Sequence, residues 1–195
     1  MKINPTLIRK KIIRNINRVP VKVRSSAERK FNQAKMDLMD EFESHPVTQE
    51  IESGPMGGND SGTLGGYGNL FSFIGFHQGS NPIDMLRGLL DSYKINTMRP
   101  QIVKKNIGVD FKFRVSGPSM EDIQTATYLN WLGKSWVRGV ERGMSGIGNY
   151  LATAGAGESS RSGGGIQATQ RMRGSAYRPT KYVSSLLRTF FLRLR

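Results

Sequence analysis

Cysteine is absent from the 195 residues, which excludes a disulfide-stapled scaffold, thiolate-held zinc or iron–sulfur sites, and a cysteine nucleophile. Histidine is nearly absent: His45 and His77 are the only two, too few to build most remaining metal sites. No apolar run approaches the ~18–20 residues of a membrane span. The basic opening MKINPTLIRKKIIRNINR is broken by charge too often to be the apolar stretch of a signal peptide, so the chain reads as intracellular and unprocessed. Hydrophobic residues make only 37% against 23 glycines. That composition predicts one modest core, with much of the backbone in loops that order against partners.

What the chain does have is positive charge, 29 Lys and Arg against 15 Asp and Glu, a formal +14. It is laid out in blocks. Residues 1–30 hold ten basic residues and one acid, Glu28, whereas residues 31–60 hold seven acids and one lysine, Lys35. Residues 159–195 then carry eight basic residues and no acid. A protein that merely coats nucleic acid has no use for an acidic block beside its basic arm, because phosphate attraction scales with the cations presented. Alternating zones of opposite sign are instead what copies packing head to tail require.

Hydrophobic periodicity predicts the main elements. Ile8, Ile12 and Ile16 draw an amphipathic basic helix over 5–18, and Ala27, Phe31, Ala34, Leu38 and Phe42 draw one stripe along a long helix over 20–44, ending before His45-Pro46. The glycine-rich loop 53–69 leads into FSFIGF, and 70–76 reads as a strand from its Phe and Ile content. Ser80-Asn81-Pro82 opens a helix over 81–93. In Ile107–Val115 the residues Val109, Phe111, Phe113 and Val115 alternate with Asp110, Lys112 and Arg114, a half-buried strand with 99–105 as hairpin partner. Residues 119–128 predict a short helix, and the stretch 131–151 keeps neither period. The arm 152–176 is small, polar and glycine-rich, an extended hairpin or an arm that orders on a neighbour. From Pro179 a strongly amphipathic helix carries Tyr182, Val183, Leu186, Leu187, Phe190, Phe191 and Leu194. The fold class is therefore α+β: a long N-terminal amphipathic helix packed on a small, mostly antiparallel sheet, with a C-terminal helix and extended arms. Residues 1–19 form a basic helical extension and 20–195 a single domain. The aromatic sheet face, Phe111 and Phe113, is expected to lie on Phe31, Leu38 and Phe42.

Chemistry is sparse. Neither SGTLGGYGNLF nor GMSGIGNYL supplies the Lys and Ser or Thr that a phosphate loop needs after its last glycine, so these glycines read as turns. His45, near Glu41, Glu43, Glu50 and Glu52, reads as a helix C-terminal histidine rather than a metal ligand. His77 reads as a surface residue at a strand end. Glu121-Asp122 fits a solvated first helical turn, and no nucleophile elbow exists. The expectation is no catalytic, cofactor or metal site. The positive signal is for contacts: Trp131, Trp136 and Tyr150 are interleaved with Arg138 and Arg142, types that anchor protein interfaces or stack on bases. Arg161, Arg171 and Arg173 of the arm, Arg178, and Phe190 of the tail complete the candidate interface residues. Membrane binding by the tail helix is the weaker reading, and no membrane partner is expected.

The segments SGTLGGYGNLFSFIGF, SWVRGVERGMSGIGNYL and YRPTKYVSSLLRTFFLRL together resemble the neck or tail-completion proteins of tailed bacteriophages, particularly of the contractile-tailed type. The matching features are a long N-terminal helix, a turn of T/S-G-x-L type at Ser61-Gly62-Thr63-Leu64, and an aromatic-Arg-Pro opening of the last helix at Tyr177-Arg178-Pro179. The resemblance implies a structural, non-enzymatic virion protein at the head–tail junction, assembled in the host cytoplasm. It would form a ring of six or twelve copies between head-closure or adaptor proteins and tail-terminator or tail proteins, with non-specific DNA contact in the lumen. The alternative from the residues alone is a basic nucleic-acid-binding protein, serving DNA packaging or associated with RNA.

Overall fold

The computed structural model describes residues 19–65, 68–97, 101–103, 108–144, 149–151, 160–163, 166–168 and 177–195. The basic helix expected over 5–18 lies outside them, as do Arg171, Arg173 and the side chain of Tyr150. The chain is a mixed α and β protein with a long N-terminal helix, small antiparallel ladders and a C-terminal helix.

Helix α1 spans Val19–Glu43. It has no glycine, and its stripe Phe31, Ala34, Leu38 and Phe42 is buried, so tertiary packing adds to good local propensity. The residue before a proline disfavours helical geometry, and α1 stops ahead of Pro46. His45, expected to finish α1, instead caps the next helix, α2 (Pro46–Glu52): its Nδ1 accepts from the Val47 N–H at 3.2 Å, with Pro46 in the first turn. Its Nε2 contacts the Lys181 carbonyl at 3.2 Å. Burial pushes the imidazole pKa down.

A 3₁₀ turn, Gly54–Met56, leads into the glycine-rich loop. The segment expected as strand 70–76 is a helix, α3 (Leu70–Ile74). Asn69 Oδ1 accepts from the Ser72 N–H at 2.8 Å, and Gly75, at φ 78°, ends the turn in the left-handed region. All five residues are buried, so the run has no exposed polar face to give it a helical period, and a short, wholly buried helix reads like a buried strand. Helix α4 (Pro82–Asp91) starts at Asn81, whose Oδ1 accepts from Ile83 N–H, and buries Ile83, Leu86 and Leu90.

The strand expected over 107–115 is two. Strand β1 (Lys94–Thr97) pairs antiparallel with β4 (Phe113–Ser116), and β2 (Gln101–Val103) with β3 (Gly108–Asp110), which bears out the hairpin. Thr97 faces Phe113 but Gln101 faces Asp110; the register shifts by one residue between the ladders, as at a bulge. Phe111 and Phe113 are half-buried and lie outside the core. The stripe of α1 is covered instead by the C-terminal helix, α7 (Val183–Arg193), with Phe31 edge-on to Phe190 at 6.0 Å. The reason is area: α7 brings Val183, Leu186, Leu187 and Phe190, all buried, whereas among the described side chains the hairpin meets the core through the part-buried Ile95 and Val115.

Helix α5 (Met120–Ala126) begins with a capping box, in which the Ser119 hydroxyl and N–H hold Asp122 and keep its carboxyl below the usual range. Strands β5 (Tyr128–Leu129) and β6 (Lys134–Ser135) form a tight hairpin leading into α6 (Trp136–Glu141), a helix inside the stretch that showed no period. Strands β7 (Asn149–Leu151) and β8 (Ile166–Ala168) pair antiparallel across the base of the arm.

One ionic hub ties the helices together. Arg87 of α4 donates to Glu43 of α1 at 2.6 Å, and also contacts Glu52 of α2 and Asp84 of its own helix. The hydrogen bond from Arg87 keeps the Glu43 carboxyl below its ordinary 4.5. A depressed carboxyl contributes stability above the unfolded-state pKa and loses it as pH falls through the folded value. Arg87→Met is therefore expected to destabilise by about 1 kcal/mol at pH 7 and low salt, the hub being part-exposed. The deficit should shrink as pH falls below 4.5 and the Glu43 carboxyl takes up its proton. Thermal melts of both proteins at pH 7 and pH 3 measure it, and a pH-independent deficit would mean that lost packing, not charge, is responsible.

Candidate interface

Carboxylates decide the surface, because most of them are used inside the chain. Beyond the three on Arg87, Asp37 and Glu41 of α1 meet Arg193 of α7, Asp91 meets Lys35 at 2.9 Å, and Glu28 meets Arg24 at 2.7 Å. Three further acids cap backbone. Glu50 accepts from the Ser61 and Leu70 N–H groups, Asp122 closes the capping box, and Glu141 accepts from the Ser184 N–H at 2.8 Å in the first turn of α7. In the acidic block 31–60, Asp37, Glu41, Glu43, Glu50 and Glu52 are thus engaged within the chain, while Asp40 and Asp60 stay exposed. Apart from Arg24, the exposed cations among the described residues have no such partners. Lys22, Arg29, Lys30, Lys94, Lys112, Arg114, Arg138, Arg142, Arg178, Lys181, Arg188 and Arg195 are exposed, and each lies beyond ion-pair distance of every carboxylate among the described residues.

The candidate interface residues separate into three groups. Trp136 and Phe190 are core: Trp136 stands edge-on to Phe76 at 5.6 Å, and Phe190 is 0% exposed between Phe31 and Tyr93. Both are corrected from surface anchors to packing residues, since indole and phenyl rings at helical spacing serve a core as well as an interface. Trp131 and Arg161 are brought together. The Trp131 Nε1–H donates to the Ile74 carbonyl at 3.1 Å, and the Arg161 guanidinium lies 4.5 Å over the indole ring while donating to the Gly75 carbonyl. Arg161 therefore holds its own chain, correcting its place on the docking arm. Its carbonyl also accepts from the Gln78 N–H, and neighbouring Ser162 is buried. His77 is exposed and edge-on to Trp131 at 5.6 Å.

The third group is Arg138, Arg142 and Arg178. Arg138 and Arg142 stand four residues apart on α6 and its C-cap, hence on one face. The Thr180 N–H donates to the Val140 carbonyl at 3.2 Å, laying the Tyr177-Arg178-Pro179 segment across the end of α6. Gly143 makes that crossing: its φ is +68°, and a Cβ there would lie 2.5 Å from the Tyr177 carbonyl oxygen.

Beside Trp131 runs a groove of about 200 Å³ whose walls include Met85, Tyr128, His77 and Trp136. Met85, Tyr128 and Trp131 are the exposed large groups along it. Among the described residues no group of three or more His, Asp or Glu could hold a metal ion, and no helix is long and apolar enough to cross a membrane. Sequence reasoning overlooked Glu50, read only as a neighbour of His45, and Gly143, read only as part of a glycine-rich run; the place of Glu50 three residues after Val47 and next to Ile51, both apolar, was the available signal for it. No protein-family model, no curated protein and no solved structure matches the chain.

Proposed function

We propose that the chain is a structural subunit of the neck or tail-completion ring of a contractile-tailed bacteriophage, six or twelve copies joining head to tail, without catalysis of its own. The observation that supports this reading is that the three segments resembling such proteins, distant in sequence, pack on one another. Thr63 of the first meets Thr180 of the third at 2.9 Å, Phe73 of the first lies edge-on to Tyr177 at 5.2 Å, and the second contributes Gly143 and Val140 beneath the same strand of chain. Short motifs that form one packing unit are constrained together. A subunit with a rigid core and an exposed cationic surface also suits a ring threaded by DNA.

A second reading, a basic nucleic-acid-binding protein, is favoured by the exposed cations that have no carboxylate within ion-pair distance among the described residues. Sedimentation of the full chain, combined with a salt titration of duplex binding, separates the two. The expected result is a defined oligomer, alone or on a neighbouring ring protein, with duplex binding that is generic and falls steeply with salt. A stable monomer that binds one defined nucleic acid tightly at physiological salt would replace the ring reading by the second.

A further inference from the structure

The β1–β4 ladder is a two-stranded ribbon with chemically opposite faces. Ile95 and Val115 pack against the core, and Phe113 is half-buried. The other face carries Lys94, Asn96, Arg114 and Ser116, with Lys112 at its edge directly before β4, all exposed. Lys94 lies across from Ser116 and Asn96 across from Arg114 in the antiparallel register, with Asn96 Nδ2 donating to Ser116 Oγ at 2.8 Å. The face is three cations and two short polar groups, with no acid.

We propose that this ribbon face is a binding site for duplex DNA, held by its phosphate backbone. Three physical points favour a duplex over a protein partner. Protein interfaces are anchored by buried aromatic and aliphatic groups and are depleted in lysine at their centres, whereas this face presents no large apolar side chain. Phosphate contacts come from Lys and Arg supported by Asn and Ser, the residue types present. A two-stranded ribbon is also of a width that the major groove admits. Charge complementarity completes the match, because none of the three cations has a carboxylate within ion-pair distance among the described residues. The site goes beyond the ring reading and holds for a subunit of any stoichiometry.

The test is fluorescence anisotropy of the full chain with a labelled 30-base-pair duplex of arbitrary sequence, titrated from 50 to 200 mM KCl (about the range over which phosphate contacts lose most affinity). A ribbon variant, K94Q/K112Q/R114Q, is compared with a control, K22Q/R29Q/K30Q, that removes the same charge from α1. Each phosphate contact adds about 0.9 to the slope of log K against log salt. The ribbon variant is expected to lower that slope by about 2 and to weaken binding at 50 mM at least about tenfold. The control should change affinity by less than about threefold, and K94R/K112R/R114K should keep the slope. Circular-dichroism melts accompany each variant, and the substituted positions are solvent-facing, so unchanged melting keeps the comparison sound. Equal losses in ribbon and control variants would overturn the site in favour of a general charge effect. So would absence of duplex binding at 50 mM, or displacement of the duplex by polyglutamate at matched charge, which would identify an acidic protein surface as the ligand.

Discussion

Replacing Glu50 with alanine is expected to destabilise the protein by about 3–5 kcal/mol. Glu50 lies on α2, and its side chain is 0% exposed. One carboxylate oxygen accepts from the Leu70 N–H at 2.7 Å and the other from the Ser61 N–H at 2.8 Å. Leu70 is the first residue of α3, so its N–H is one of the donors that a helix leaves unpaired at its start. Asn69 completes the closure, its Oδ1 bonded to Ser72 N–H and its Nδ2 donating to the Gly54, Pro55 and Gly57 carbonyls. Alanine strands two backbone donors, the buried Leu70 N–H and the part-buried Ser61 N–H, each costing about 1–3 kcal/mol, and leaves a void beside Leu70, which is fully buried. Glutamine keeps one acceptor oxygen and loses the other, so Glu50→Gln should cost about half as much. Urea denaturation measures both. A loss below about 1 kcal/mol for Glu50→Ala would mean that the loop repairs its own donors. Because a domain is stabilised by only about 5–15 kcal/mol, the alanine variant should accumulate poorly at 37 °C.

Gly143→Ala is expected to rank second, at about 2–4 kcal/mol. The helix α6 ends at Arg142, and the chain turns back through Gly143 and Met144, both at positive φ (68° and 58°). Alanine in the left-handed region costs about 1–2 kcal/mol by itself. Here the added methyl also meets the Tyr177 carbonyl oxygen at 2.5 Å and the Pro179 nitrogen at 3.1 Å, and backbone on that side has to move. Gly133 is the control: its φ is +64° and nothing lies within 4 Å of the added Cβ, so Gly133→Ala should show the backbone term alone. Thermal melts of both variants isolate the contact. If Gly143→Ala melts no lower than Gly133→Ala, the Tyr177-Arg178-Pro179 segment yields freely and does not lock the third segment to the second. If it melts lower, the same variant should also loosen Arg178 from its place across the end of α6, and under the proposed ring function assembly should weaken with it.

These two residues show where sequence reasoning reached its end. Glu50 stood in a run of acids and glutamine that looks like an ordinary solvated helix, and its two donors, the Ser61 and Leu70 N–H groups, lie 11 and 20 positions further along. Gly143 sat among glycines whose turn-forming freedom was plain, but the carbonyl it must avoid is more than thirty positions away in the chain. The candidate interface was legible in part. Trp131 and Arg161 were both named, yet their stacking on one another could not be read from residues thirty positions apart.

What the sequence determined by itself is local: the stripe Phe31, Ala34, Leu38 and Phe42, the Asn81-Pro82 start of α4, the apolar face of α7, the lack of thiolate chemistry and the net charge. Periodicity and capping act over one or two helical turns, so these features carry their own signal. Only the tertiary structure decided the rest. It made 70–74 a helix, because Asn69 and Gly75 frame a run buried on every side. It gave α1 the C-terminal helix rather than Phe111 and Phe113 as its cover. It paired much of the acidic block within the chain, by bringing Arg87 and Arg193 from 44 and 152 residues away onto Glu43 and Glu41. Pairings at such separations depend on which apolar faces find each other, and once those faces had closed, the cations of the β1–β4 ribbon were left facing water without a carboxylate.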